Sequence, residues 1–119
     1  MILVDTSVWI DHLHRHLDDL AQALELEDVV VHPFVIGEIA CGTIRSRDEV
    51  LLLLRNLPRA PVATNEEVLT FIDDRQLMGR GLGYVDVHLL ASAALGDDLV
   101  LWTSDKRLQR VARSLKLSF

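Results

Sequence analysis

The chain has 119 residues, the length of one ordinary domain, and half of them are hydrophobic, enough for a core. Its net charge of −6 argues against a protein that coats nucleic acid through overall positive charge. No apolar run approaches the roughly 20 residues of a membrane span, and the start lacks the pattern of a signal peptide. We therefore expect a cytoplasmic protein without membrane association. The single cysteine, Cys41, lies in an apolar stretch and is predicted to be a small core residue.

The first third of the chain alternates strand-like and helix-like segments. A short apolar strand ends at Asp5, and Asp5-Thr6-Ser7 supplies capping residues for a first helix. Apolar residues at helical spacing between positions 17 and 24 predict a second helix. Val29–Val31 is typical of a buried strand.

The middle of the chain is predicted to be mainly helical. Pro33 suits the first turn of a helix that carries Glu38 and ends near Gly42. Capping-box patterns begin at Ser46 and at Thr64, and each precedes a helix. A short strand is expected between these two helices, at positions 62–63.

The last third returns to the strand-and-helix alternation. Gly79–Gly83 predicts a flexible break, and Tyr84–Leu95 predicts a central, buried helix because it is almost wholly apolar. Leu99–Trp102 is the last clear strand, a final amphipathic helix follows, and Leu117–Phe119 is expected to add an edge strand. The alternation predicts an α/β domain spanning residues 1–119, with a mostly parallel central sheet of four to five strands flanked by helices.

Four isolated carboxylates each adjoin an apolar segment: Asp5, Glu38, Asp86 and Asp105. Burial of a carboxylate is costly unless the group is paired or binds a cation. Asp5 and Asp105 could each be ordinary helix N-caps, and Asp86 could favour a helix N-terminus. Glu38 has no such explanation, because it lies mid-helix between apolar neighbours. Together the four residues predict one acidic site beyond the carboxyl ends of the strands.

An acidic site of this kind suits Mg²⁺, or Mn²⁺ in its place, because both ions prefer hard oxygen ligands. Such an ion can lower the pKa of a water and hold a phosphate for attack. The cation also relieves the repulsion among carboxylates that lie close together.

The chain resembles the PIN-domain family, and specifically its VapC-type toxin ribonucleases. Four segments match in kind, order and spacing, and they span nearly the whole chain: Ile2–Ile10, Val35–Ile39, Gly83–Ala91 and Leu101–Lys106. The resemblance implies a PIN-like fold and a metal-dependent endoribonuclease, with tRNA as the candidate target.

The resemblance also implies a role for each site residue. Asp5 and Asp86 are expected to be the main metal ligands. Glu38 and Asp105 would complete the site or position the attacking water, and Thr6 and Thr103 would supply supporting hydroxyl groups. A VapB-like antitoxin, a homodimer and a toxin–antitoxin hetero-oligomer are implied as well.

The basic residues suggest a path for RNA across an otherwise acidic chain. Five of the 12 Lys and Arg residues fall in the last 19 positions, with only one of the 18 acidic residues. A solvated helix face explains this cluster as well as a phosphate contact does. The candidate RNA-binding residues are Arg45, Arg47, Arg80, Lys106, Arg107 and Arg110.

Two other functions compete with the ribonuclease. A catalytically silent PIN-like module would act by binding protein alone, and is disfavoured because all four acidic positions are filled. A phosphoacceptor, receiver-like domain is suggested by Asp5 and by Thr103 to Lys106. It is disfavoured on the expectation that no aspartate ends a central strand.

Overall fold

A short parallel sheet lies at the centre of the computed structural model, which describes residues 1–119. Strand β1 (Ile2–Val4) is the middle strand and pairs with β2 (Val29–Val30) on one side and β3 (Val100–Trp102) on the other. All three residues of β1 are buried, as expected for a strand covered by helices on both faces. Because the strands are parallel, their carboxyl ends meet at one edge of the sheet.

Seven helices surround this sheet. They are α1 (Thr6–Arg15), α2 (Asp18–Glu25), α3 (Pro33–Ala40), α4 (Arg47–Asn56), α5 (Asn65–Arg75), α6 (Tyr84–Leu95) and α7 (Lys106–Ser114). Helix α6 has the bounds predicted from its apolar sequence, and seven consecutive residues of it are buried. A single cluster of 28 buried hydrophobic residues forms the core. None of the helices combines the length and apolar character that crossing a membrane requires.

The α/β architecture and the parallel sheet are confirmed, but the expected four to five strands are wrong, since the sheet has three. Near the expected strand at 62–63 there is only a single-residue bridge between Val31 and Arg59. Pro58 and Pro61 flank this region and lack the N–H groups that a ladder needs. The expected strand at 117–119 is likewise reduced to one bridge, between Leu101 and Ser118.

Three local predictions are also wrong. Ser46 does not cap α4: it has a left-handed backbone (φ +54°) and its hydroxyl makes no capping bond. Cys41 is exposed, because it follows the last turn of α3 on the side away from the core. Asp5 does follow a central strand, because β1 is the middle strand of the sheet. The expectation that no aspartate ends a central strand is therefore wrong, and it no longer argues against a receiver-like domain.

Candidate active site

Two of the four carboxylates lie at the carboxyl edge of the sheet because they join a strand to a helix. Asp5 directly follows β1 and is the N-cap of α1. Asp105 is the N-cap of α7, three residues beyond Trp102 at the end of β3. Parallel pairing of β1 with β3 brings these two caps to the same end of neighbouring strands.

Asp5 is 7% exposed, and three donors satisfy its carboxylate. The backbone N–H of Thr6 donates to Oδ1 at 2.7 Å. The hydroxyl groups of Ser7 and Thr103 donate to Oδ2 at 2.9 and 2.7 Å. These bonds make burial of the charge tolerable and fix the orientation of the side chain.

Thr103 connects Asp5 to Asp105. Its hydroxyl donates to Asp5 and accepts the backbone N–H of Asp105 at 3.0 Å. The Asp105 carboxylate in turn accepts the N–H of Leu108 at 3.0 Å. One buried threonine therefore orders both acidic residues at this edge.

Glu38 lies on an exposed face of α3 and is tied to the start of α1. The hydroxyl of Thr6 donates to Glu38 Oε1 at 2.7 Å. The neighbouring residue Ile39 points into the core and is fully buried, whereas the Glu38 side chain is exposed. Thr6 thus joins the third carboxylate to the segment that begins with Asp5.

Asp86, in the first turn of α6, is the carboxylate whose pKa is affected by the other three. Burial raises the pKa of its carboxyl group, and the charges of Asp5, Asp105 and Glu38 raise that pKa further. The backbone N–H of Gly83, which donates to Asp86 at 3.1 Å, acts in the opposite direction. Asp86 therefore lies close enough to the three other carboxylates to be repelled by each of them.

No group of three or more His, Cys, Asp or Glu side chains is arranged here so that it could hold a metal ion. Each carboxylate already accepts a hydrogen bond: Asp5 and Glu38 accept hydroxyl groups from other segments, and Asp86 and Asp105 accept backbone N–H groups nearby in the chain. The donor set nevertheless fits a hard divalent cation. It consists of carboxylate oxygens alone, and a cation would relieve the repulsion that the other three carboxylates exert on Asp86.

The family model for the PIN domain matches residues 2–114 of the chain. The chain belongs to the PIN-domain family. Its similarity to Ribonuclease VapC32 of Mycobacterium tuberculosis, in two strains, is 52% identity over 109 residues. That alignment covers 92% of this chain and 88% of the relative, so the chain is a VapC-type PIN protein. The relationship supports a nuclease and disfavours the receiver-like domain.

The basic candidates fall on two sides of this PIN-domain site. Lys106, Arg107 and Arg110 lie on α7 beside Asp105, and the Arg107 side chain crosses the backbone of Gly81 in the loop that carries Arg80. The second group, Arg45 and Arg47, lies beyond α3 on the Glu38 side. All of these side chains are exposed.

Sequence reasoning missed the importance of Ser7. Its hydroxyl donates to Asp5 and accepts the backbone N–H of Ser104 at 3.1 Å, which ties α1 to the segment after β3. Asp11, one turn further along α1, accepts the hydroxyl of Ser104 at 3.2 Å. The sequence carried no signal for these contacts, because Ser104 is 97 residues from Ser7 and 93 residues from Asp11 in the chain.

His88 takes no part in the acidic site. It is 1% exposed, and its ring packs edge-on against Tyr84 and Phe34 at centroid distances of 4.7 and 4.8 Å. Neither ring nitrogen has a hydrogen-bond partner. These contacts make His88 a structural residue of the core.

Proposed function

We propose that this PIN-domain protein is the toxin of a type II toxin–antitoxin system and a Mg²⁺-dependent endoribonuclease. The observation that carries the proposal is the set of hydrogen bonds that link Asp5 to Asp105 through Thr103 and Glu38 to the start of α1 through Thr6. Asp86 lies near enough that the charges of all three raise the pKa of its carboxyl group. The four carboxylates come from four separate segments of the chain. No single helix or hairpin brings them together, so only the complete fold does.

Asp5 and Asp86 are the proposed main ligands of Mg²⁺, with Mn²⁺ as a substitute, and Glu38 and Asp105 complete the acidic set. When bound, the ion supplies a water of lowered pKa and neutralises charge on the phosphate. Thr103 and Thr6 hold the Asp5 and Glu38 carboxylates through their hydroxyl groups. Ser7 adds a second hydroxyl on Asp5, so this carboxylate is ordered before any ion arrives.

The substrate is RNA, with tRNA as the candidate class, and the basic residues of α7 support this assignment. The first turn of α7 contains Lys106 and Arg107 and no acidic residue. A helix N-terminus disfavours positive charge, so these residues cost the helix some stability. Helix stability therefore does not explain Lys106 and Arg107. Attraction of RNA phosphate groups to this edge of the acidic site does explain them. Arg110, one turn along, extends the same surface, and the exposed Arg80 adjoins Gly81, which the Arg107 side chain approaches.

A VapB-like antitoxin is the proposed inhibitor, in a hetero-oligomer built on a toxin homodimer in the cytoplasm. The support is the similarity to a VapC protein and the charge of the site. An acidic site in a chain of net charge −6 would accept a basic side chain from a partner.

Metal-dependent cleavage of total cellular RNA, with mapping of the cut sites, tests the proposal. We expect cleavage with Mg²⁺ or Mn²⁺, none with EDTA, and a loss of at least about a hundredfold in Asp5→Asn. Asparagine caps a helix as well as aspartate does, so this variant can keep the cap of α1 through its amide oxygen while the charge is removed. Asp74→Asn, on the exposed surface of α5, is the matched control and should cleave like the wild type.

A folded Asp5→Asn protein that cleaves at the wild-type rate would refute the site. A wild-type protein that cleaves no RNA but retains an antitoxin would instead identify a silent binding module. Labelling by a small phosphodonor would favour the receiver-like alternative.

A further inference from the structure

A groove of about 630 Å³ lies between the end of α1 and the loop that joins α3 to α4. This volume is in the range of clefts that bind small ligands, about 300–1,000 Å³. Leu13, Ile44 and Val50 provide apolar surface, and Arg45, His14 and Thr43 provide polar groups. The groove can therefore contact both an apolar ring and an anion.

The charge of this groove is unusual for the chain. The protein has 18 Asp and Glu residues, yet none of them lines the groove. Three of the other main cavities include a glutamate in their walls, and the fourth, beside Gly79–Gly83, holds only about 250 Å³. The α1–α4 groove is thus the largest of these surfaces that an anion can enter without meeting a carboxylate.

The groove and the acidic site share one face of α1. Thr6, which holds Glu38, and Leu13, in the groove wall, are seven residues apart and so lie on the same side of the helix. A helix rises 1.5 Å per residue, which separates them by about 10 Å along the axis. A stacked nucleic-acid strand covers that distance in roughly three nucleotides.

The two arginines of this region have different tasks. The Arg47 guanidinium donates to the carbonyl oxygen of Ala40 at 3.0 and 3.2 Å, so it fastens the start of α4 to the end of α3. It also lies 3.7 Å from Asp48. Arg45, in the loop held between these anchors, is exposed and makes neither an ion pair nor a side-chain hydrogen bond. Its charge is free for a ligand.

We propose that the α1–α4 groove binds the substrate RNA strand about three nucleotides from the cleaved bond. Arg45 pairs with a phosphate, and the apolar wall receives the adjoining base. Arg47 is a positioning residue that keeps the loop open at the right place. This inference rests on the proposed ribonuclease function and extends it to a second, distinct contact with the same strand.

Binding of RNA without cleavage tests the groove directly. The probe is a fluorescein-labelled single-stranded RNA of about 20 random nucleotides, titrated with the Asp5→Asn protein in Mg²⁺ and followed by anisotropy. Arg45→Ala should weaken binding about tenfold and reduce the salt dependence by about one phosphate contact. Arg45→Lys should recover most of the affinity, and Arg55→Ala, at the far end of α4, should bind as the parent does. In the otherwise wild-type enzyme, Arg45→Ala should lower kcat/KM by a similar factor.

Equal affinity of Arg45→Ala and its parent overturns the inference, and so does an equal loss in Arg55→Ala, which would mean unspecific attraction. If Arg45→Ala keeps RNA but releases a bound antitoxin, the groove is a protein site and the inference is wrong. The two proposals fail separately. If the wild type and Arg45→Ala cleave RNA equally, only the groove proposal is refuted. If RNA binding depends on Arg45 but no RNA is cleaved, only the ribonuclease proposal is refuted. If the protein neither binds nor cleaves RNA, both are refuted.

Discussion

At the scale of single residues, three of the four proposed catalytic carboxylates also stabilise a helix terminus. Asp5 and Asp105 are N-caps, and Asp86 accepts the backbone N–H of Gly83. A change to alanine would confuse loss of charge with loss of a cap, which costs about 1 kcal/mol by itself. Asparagine variants separate the two effects at Asp5 and Asp105.

At Gly81, the Arg107 side chain lies where a side chain of residue 81 would begin. Its φ is +77°, and a Cβ there would lie 2.9 Å from an Arg107 guanidinium nitrogen. Gly79, with φ +70°, has nothing within 4 Å of that position. Gly79→Ala should therefore cost about 1 kcal/mol of unfolding free energy for the left-handed backbone alone, and Gly81→Ala more. Urea denaturation measures both, and Arg107→Ala combined with Gly81→Ala should return the cost to the Gly79→Ala level. Equal costs in the two single variants would contradict the contact.

His32 should make the stability depend on pH. Burial, helped by the charges of His88 and Arg59, lowers the pKa of His32 from 6.5 to about 4. Above pH 6.5 the residue is neutral in both states, so stability is full there. Below pH 6.5, His32 binds a proton in the unfolded chain but not in the folded protein. The free energy of unfolding therefore falls as the pH is lowered to about 4. At pH 5 the loss is about 2 kcal/mol.

His32→Asn tests this effect without removing the helix cap. The Nδ1 of His32 accepts the N–H of Phe34, and an asparagine oxygen can do the same. Denaturation at pH 7 and pH 5 should show a smaller decline in His32→Asn than in the wild type. The exposed His14→Asn should behave as the wild type, and parallel declines in all three proteins would exclude His32 as the cause.

At the scale of elements, α5 depends on its first turn because its apolar face is weak. Only Val68 of its 11 residues is buried. A complete capping box starts the helix: Thr64 accepts the N–H of Glu67 at 3.1 Å, and Glu67 accepts the N–H of Thr64 at 2.9 Å. The same bonds lower the pKa of Glu67.

Thr64→Ala should therefore cost about 1 kcal/mol and lower the melting temperature by about 4 °C. Circular dichroism during heating measures the shift. Thr70→Ala, at an exposed site of the same helix, should leave the melting temperature unchanged or slightly higher, since alanine favours a helix. A decrease in Thr70→Ala as large as in Thr64→Ala would argue that the cap is irrelevant.

The elements also show what the sequence could predict. The bounds of α6 and the cap at Thr64 followed from apolar continuity and a local pattern, and both are confirmed. The equally good pattern at Ser46 failed, because Arg47 reaches Ala40 and the loop turns Ser46 into a left-handed conformation. A short-range pattern carries no information about such a contact between helices.

The same limit applied to the candidate site. The apolar neighbours of the four carboxylates were enough to select them as candidates. The parallel sheet predicted that Asp5 and Asp105, which follow strands, lie at the same edge. That Thr103 donates to Asp5, and Thr6 to Glu38, depends on side-chain rotations that packing decides. No pattern in the sequence specified those partners.

At the scale of the whole molecule, the repulsion at the acidic site predicts stabilisation by a divalent cation. An ion that binds only the folded protein adds about 1.4 kcal/mol when its concentration is ten times its dissociation constant. The melting temperature should rise by about 5 °C in Mg²⁺ and return to its starting value with EDTA. Potassium chloride at equal ionic strength should not reproduce the rise, and Asp86→Asn should abolish it. An unchanged melting temperature at saturating Mg²⁺ would exclude the site.

The pairing of β1 with β3 joins residues 2–4 to residues 100–102, and so ties the start of the chain to its last quarter. Asp5 receives its Thr103 partner only through that pairing. On a ribosome, the acidic site is therefore unfinished until nearly all of the chain has been made. A nascent chain cannot orient Asp5 through Thr103 until β3 has been made, however early β1 leaves the ribosome.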